Sequence, residues 1–171
     1  AKAAKIPMLE PSDSGECRDF TKLAFSLSEE YDTPVFIRLS TRVSHSQSLV
    51  ELHEPENIEL KPYVKNIAKN VMMPANAIGR HVVVEERSRK LAEFAETCEL
   101  NTVEDNGSRI GVITSGVSYV YSKDALGDKV NYLKLGLVYP LPEKLIKDFA
   151  ASVDTLYVVE ELDGFIEEFV R

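Results

Sequence analysis

Cysteine is scarce in this chain of 171 residues: the two present, Cys17 and Cys98, share no CxxC spacing. That speaks against a disulfide framework and against ligation of an iron–sulfur cluster within the chain. Each falls where a helical pattern asks for an apolar residue, so both read as small buried hydrophobes in a reducing, cytoplasmic setting. Basic charge is outweighed, with 20 Lys and Arg against 28 Asp and Glu and a net charge of −8. Nucleic acid is therefore not an expected partner, because phosphate binding needs a basic face. No apolar run approaches the roughly 18 residues needed to span a bilayer, so no membrane partner is expected. The N-terminus also lacks the charged-then-apolar layout of a secretion signal. Of the three histidines, none has a second His or an acidic residue at metal-ligand spacing, and no metal site is expected. The initiator methionine is missing too, as in a processed chain or a piece of a longer polypeptide.

What is present is an ordinary globular composition, 44% hydrophobic and 28% charged, enough for one good core or two small ones. From Ser108 to Glu161 three apolar runs, Ile110–Thr114, Val130–Leu135 and Leu156–Val159, alternate with two helical patterns. That order predicts an α/β fold with a mainly parallel sheet and helical crossovers. Between the first run and its helix, Thr114-Ser115-Gly116 is either a tight turn capped by Ser115 or a weak anion site at a helix N-terminus. Gly127 closes that helix and Pro142 opens the next, with Leu145, Ile146 and Phe149 inward. Glu160 and Glu161 end the last strand; neighbours on a strand point to opposite faces, so they do not form an acid–base dyad. Gly164 precedes a short amphipathic segment with Phe165, Ile166 and Phe169.

Upstream, Lys5 to Glu10 reads as a strand, and Asp13 with Glu16 as a capping-box start. Cys17, Phe20, Ala24, Leu27 and Tyr31 line one helical face. Asp32-Thr33-Pro34 stops the helix, and Val35 to Leu39 reads as a buried strand. One helix and two strands cannot enclose a core, so this piece reads as the end of a domain. Thr41, Arg42, Ser44 and His45 follow the strand where α/β sheets carry their ligands; a polar, solvated loop is the plainer reading. Residues 47–83 read as a connector, punctuated by Glu54-Pro55-Glu56-Asn57 and Lys61-Pro62 and interrupted at Pro74. The Met72-Met73 pair there has the character of a packing surface, and His53 and His81 that of surface residues. A helix is expected from Val84, with Leu91, Phe94, Ala95 and Cys98 inward and Glu85–Arg89 and Glu86–Lys90 pairs outward. Asn106-Gly107 marks a turn.

Six blocks, taken in order, carry a resemblance: EPSDSGECRDF, PVFIRLSTRVSHS, VMMPANAIGRH, GVITSGVSYVY, LKLGLVYPLPEKLI and YVVEELDGFIEE. Together they resemble the alpha subunit of the indolepyruvate ferredoxin oxidoreductases, in the thiamine diphosphate-dependent 2-oxoacid:ferredoxin oxidoreductase family, across nearly the whole chain. The resemblance implies that residues 1–46 are the C-terminal part of a pyrimidine-binding domain and residues 47–107 a linker with a connecting helix. Residues 108–171 would be an incomplete transketolase C-terminal-like domain. It also implies oxidative decarboxylation of an arylpyruvate such as indolepyruvate, with electrons passed through [4Fe–4S] clusters to ferredoxin and the acyl group taken by coenzyme A. The implied partners are the beta subunit and ferredoxin; the implied cofactors are thiamine diphosphate, Mg²⁺ and [4Fe–4S].

The family's catalytic glutamate would lie upstream of Ala1, the GDG magnesium–diphosphate motif has no match (Leu162-Asp163-Gly164 is not it), and the cluster cysteines are absent. The chain then reads as a middle fragment, inactive alone, with no catalytic or metal residue of its own and no cofactor fully bound. Arg42, Ser44 and His45 are the candidates to approach the substrate cleft. Two other readings stand beside it. One is a non-catalytic assembly module making contacts through Met72, Met73 and Phe165. The other is a small-ligand-binding α/β domain that uses the Thr114–Gly116 turn.

Overall fold

Two sheets meet at a single glycine in this computed structural model, which describes residues 1–55 and 62–171. The punctuation read at Glu56, Asn57 and Lys61 lies outside the described residues. The first half of the chain forms β1 (Met8–Leu9), α1 (Ser14–Tyr31), β2 (Phe36–Ile37), α2 (Thr41–His45), α3 (Ile67–Asn70) and α4 (Pro74–Ala95). The second half forms β3 (Asn101–Glu104), β4 (Ile110–Ser115), α5 (Gly116–Leu126), β5 (Asn131–Leu135), β6 (Leu137–Tyr139), α6 (Glu143–Ala151), β7 (Thr155–Val159) and α7 (Phe165–Val170).

The larger sheet runs in the order β3-β5-β4-β7; β4 is parallel to both β5 and β7, and β3 is the antiparallel edge. Both faces of its centre are covered, which is why β4 and β5 read as continuous apolar runs. On one face Ile113, Leu133 and Leu135 pack with Ile146 and Phe149 of α6 and Ile166 of α7. On the other, Val112 and Tyr132 pack against Tyr119 of α5. The smaller sheet is ordered β2-β1-β6, with β1 parallel to β2 and antiparallel to β6. It is covered by α1 and α4, where Leu9 and Leu137 meet Phe20, Ala24, Ala95 and Cys98. Burying such side chains is worth roughly 1.5–3 kcal/mol each. The α/β class therefore holds, with both sheets mixed.

Gly136 is the hinge between the sheets, standing alone between β5 and β6. Its N–H donates to the Leu100 carbonyl and to Asn101 Oδ1, both at 3.1 Å, and its carbonyl accepts from the Glu10 N–H at 2.8 Å. A Cβ there would sit 2.7 Å from the Leu100 carbonyl oxygen and 2.9 Å from the Phe20 ring. Only glycine fits so close a backbone approach.

At the start of α1, Asp13 Oδ1 accepts from the Glu16 N–H at 2.9 Å. Glu16 reaches back one residue beyond the expected cap, accepting from the Ser12 N–H at 2.8 Å and its hydroxyl at 2.7 Å. Several expectations are corrected. Val35–Leu39 is not a buried strand: β2 is a two-residue edge, and Phe36 and Leu39 are 45% and 48% exposed because it is paired on one side only. Pro74 does not interrupt a segment; it begins α4, ten residues before the helix read from periodicity, because proline at the first helical position forfeits no needed N–H. Of the outward pairs, Glu86–Lys90 forms at 3.4 Å, whereas Glu85 is taken by Lys5 and by His81 Nε2. The stretch after β2 is a short helix, α2, capped by Ser40 Oγ accepting from the Val43 N–H.

Candidate functional site

Strands deliver their C-terminal residues to one end of a sheet, and in α/β folds ligand sites form there. Here the ends of strands from both sheets face one another. Glu10 follows β1, Arg38 follows β2, Ser115 ends β4, and Glu160 and Glu161 follow β7. Together with Leu162, Asp163 and Phe165 they line a cavity of about 230 Å³.

Glu10 is its centre and is only 5% exposed. One carboxylate oxygen accepts from the Ser115 hydroxyl at 3.1 Å and from Arg38 Nη1 at 3.2 Å. Arg38 Nη2 donates onward to the Glu161 carbonyl at 3.3 Å. Burial pushes the Glu10 carboxyl above the usual carboxylate range, and the charge of Glu161 pushes the same way. Arg38 and the Ser115 hydroxyl pull against that rise without cancelling it. A buried carboxyl whose protonated form is favoured relative to an ordinary glutamate can take or give a proton, and the part-exposed guanidinium beside it can hold an anion. These are the chemical capacities of this cavity.

The Ser115 side chain makes no cap on α5, because its hydroxyl is turned to Glu10. Gly116 has φ +49°, and a Cβ there would lie 2.8 Å from Glu10 Cγ and Oε1. The carboxylate that meets the Thr114–Gly116 turn is thus the chain's own, which occupies the place an external anion would take. Glu160, read as half of a non-dyad pair, accepts from the Ile166 and Glu167 N–H groups at 2.7 and 3.0 Å and so caps α7.

Arg42, Ser44 and His45 lie elsewhere, on α2, and all three are exposed. Arg42 Nε donates to the Tyr121 hydroxyl at 3.0 Å and helps line a groove of about 570 Å³ together with Ser12, Asp13 and Val117. Ser44 and His45 are not among its walls. The structure brings Arg42 toward a cleft without the other two. Sequence reasoning passed over Glu10 and Arg38. Their only signal is a charged residue placed just after each of two short apolar stretches.

A second polar layer lies near the groove. Lys134, 8% exposed in the middle of β5, donates to Ser12 Oγ at 3.0 Å, pairs with Glu16 and sits 4.5 Å from the centre of the Tyr119 ring. The Tyr119 hydroxyl in turn donates to Glu104; burial and that carboxylate push its phenol up to about 12. Among the described residues, no three His, Cys, Asp or Glu side chains converge so as to hold a metal ion, and no helix is long and apolar enough to cross a membrane.

No family model matches the chain. Curated relatives do. The chain is 40% identical over 176 residues to the indolepyruvate oxidoreductase subunit IorA of Methanothermobacter marburgensis and 36% identical over 175 residues to that of Archaeoglobus fulgidus. Each match takes in 99% of this chain and 28% of the relative, so the chain spans a little over a quarter of their length. Among solved structures, a 2-oxoglutarate:ferredoxin oxidoreductase from Magnetococcus marinus, with 2-oxoglutarate, coenzyme A and succinyl-CoA bound, superposes with a TM-score of 0.64. That superposition covers 96% of this chain and 36% of that one at 20% identity, and it establishes a shared fold.

Proposed function

From the relationship of nearly all of this chain to 28% of the length of IorA subunits of indolepyruvate oxidoreductases, we propose that it works as part of a 2-oxoacid:ferredoxin oxidoreductase. The reaction is oxidative decarboxylation of an arylpyruvate such as indolepyruvate to an acyl-CoA, with ferredoxin as electron acceptor and a beta subunit as partner. The observation that carries this reading is identity of 36–40% sustained over 99% of the chain. In this reading residues 1–46 end a pyrimidine-binding domain and residues 108–171 belong to a transketolase C-terminal-like domain. The parallel β1–α1–β2 unit and the parallel strands β5, β4 and β7 support that reading, and β6 ties the two parts together by pairing with β1.

Thiamine diphosphate, when bound, supplies the carbanion that attacks the 2-oxo carbon. The described residues do not fit its magnesium–diphosphate end: no set of metal ligands converges, and the Ser115–Gly116 turn is met by Glu10. In this reading the cofactor, Mg²⁺ and [4Fe–4S] belong to parts of the enzyme other than the described residues. What this chain contributes is scaffold: Glu10 and Arg38 hold the two sheets together beside the strand ends, and Arg42 stands at the cleft rim. The exposed Met72 and Met73 favour an assembly role within that enzyme.

The test is reduction of a low-potential viologen dye by the complete enzyme that contains this segment, with its beta subunit, coenzyme A and indolepyruvate, phenylpyruvate or 2-oxoglutarate. Arylpyruvate-dependent reduction is expected; a dye left unreduced with all three 2-oxoacids would overturn the assignment. Thiamine diphosphate with Mg²⁺ should leave the melting temperature of the isolated chain unmoved, and a clear shift would return the cofactor site to these residues.

A further inference from the structure

A groove of about 610 Å³ runs between α4 and α7, over Tyr139 at the end of β6 and Leu141 just beyond it. The α7 wall is fixed from below, because Ile166 is buried in the core and Glu160 accepts from the Ile166 and Glu167 N–H groups. With Ile166 held inward, Phe165, Glu168 and Phe169, spaced i, i+3 and i+4, all reach the groove. The α4 wall brings Glu93 and Glu96 to it, again three residues apart. The walls are therefore built by the fold itself. Small-molecule sites have volumes of about 300–1,000 Å³, a mainly apolar lining and a few placed polar groups, and this groove has all three features.

Its rim is acidic, with four glutamates against one cation, Lys2. Two of the four are engaged within the chain: Glu96 accepts from the Lys144 and Leu145 N–H groups, and Glu143 pairs with Lys147. Glu93 and Glu168, one from each wall, are exposed and form no ion pair among the described residues. Unpaired carboxylates beside aromatic rings select a cation and disfavour an anion, and the ring faces themselves attract positive charge. The apolar floor asks at the same time for a hydrocarbon surface. An aromatic ring carrying an ammonium meets both demands in one small molecule. A partner helix does not fit as well, since its anchors at i, i+4 and i+7 need a longer apolar track than the six residues of α7 supply. We propose that this groove binds a primary aromatic amine, with its ring against Tyr139 and Phe169 and its ammonium held by Glu93 and Glu168. The groove shares only Phe165 with the Glu10 cavity, and the site stands apart from the proposed chemistry.

Fluorescence anisotropy of tryptamine titrated with the chain tests it. The chain has no Trp, so indole emission reports the ligand alone. Saturable binding with a Kd below about 1 mM is expected. Indole-3-propionate has the same ring and the opposite charge, and should bind about 10-fold more weakly or worse. Glu93→Gln with Glu168→Gln should weaken tryptamine about 5-fold, and Phe169→Ala should do so by a similar factor. All three positions are exposed, and circular dichroism should be unchanged. Absence of saturable tryptamine binding overturns the proposal. So does equally tight binding of indole-3-propionate, or tryptamine binding indifferent to all three substitutions.

Discussion

Replacing Gly116 with alanine places a methyl group into the one position where backbone and side-chain constraints coincide. The residue has φ +49°, a region that costs an L-residue roughly 1–2 kcal/mol. The new Cβ would lie 2.8 Å from Glu10 Cγ and Oε1, well inside contact distance. Glu10 is buried and cannot yield without leaving the Ser115 hydroxyl and Arg38, and hydrogen bonds to a charged group are worth about 1.5–3 kcal/mol. Reduced entropy of the unfolded chain returns roughly 0.4–1 kcal/mol. The net expectation is a loss of about 3 kcal/mol, or roughly 9 °C in melting temperature for a chain of this size. Urea unfolding at pH 7 followed by circular dichroism measures it, and the decisive step is a double-mutant cycle with Glu10→Ala. Without the Glu10 side chain the methyl has room, and the cost of Gly116→Ala should fall to the backbone cost of about 1 kcal/mol. An equal cost in both backgrounds would refute the contact between Glu10 and the turn.

Three further expectations follow from the polar interior. Because the folded-state pKa of Glu10 is raised above 4.5, its contribution to stability is full below the ordinary Glu value and is lost as pH rises through the raised one. Wild type should therefore lose stability relative to Glu10→Gln as pH climbs from 4.5 toward neutrality, and parallel curves for the two proteins would exclude a raised pKa. Lys134→Ala should cost about 2–3 kcal/mol in urea unfolding, at or below the low end for a broken buried pair because Glu16 is partly exposed and keeps the Ser12 N–H and hydroxyl; a cost under about 1 kcal/mol would mean that the pair is solvated. Asn101 accepts from the Gly136 and Leu137 N–H groups and donates to the Ala95 carbonyl. Asn101→Ala should cost roughly 2–3 kcal/mol at about 1 kcal/mol per bond, and a neutral effect in thermal melting would remove Asn101 from the sheet junction.

How much of this could be read from sequence depended on burial. The strands β4 and β5 announced themselves because the centre of the larger sheet is covered on both faces, and the edge strand β7 because Leu156, Val158 and Val159 pack against the two cores. The strand β3 hides in Asn101–Glu104, a polar antiparallel edge whose central residues are both exposed, and β6 spans only three residues beyond Gly136. Pro74 was ambiguous in principle, since proline both ends helices and starts them, and only the chain before it decides which. The cavity was out of reach for a different reason. Glu10 and Arg38 meet only because Leu9 pairs with Ile37 in parallel register, and Ser115 joins them from another sheet. Arg42, Ser44 and His45 all lie exposed on α2 beyond β2, and of the three only Arg42 lines the groove.

The passage of one backbone through Gly136 from β5 into β6 has a consequence for how the protein comes apart. A buried central strand of one sheet and a strand of the other are separated by a single peptide unit whose N–H and carbonyl are both engaged. Neither sheet can loosen without dragging that unit and the Leu100–Asn101 segment bound to it. The N-terminal βαβ piece and the C-terminal strands are thus a single cooperative unit. Their amide protons should share one slow exchange regime, with no partially open state in which one sheet survives the loss of the other.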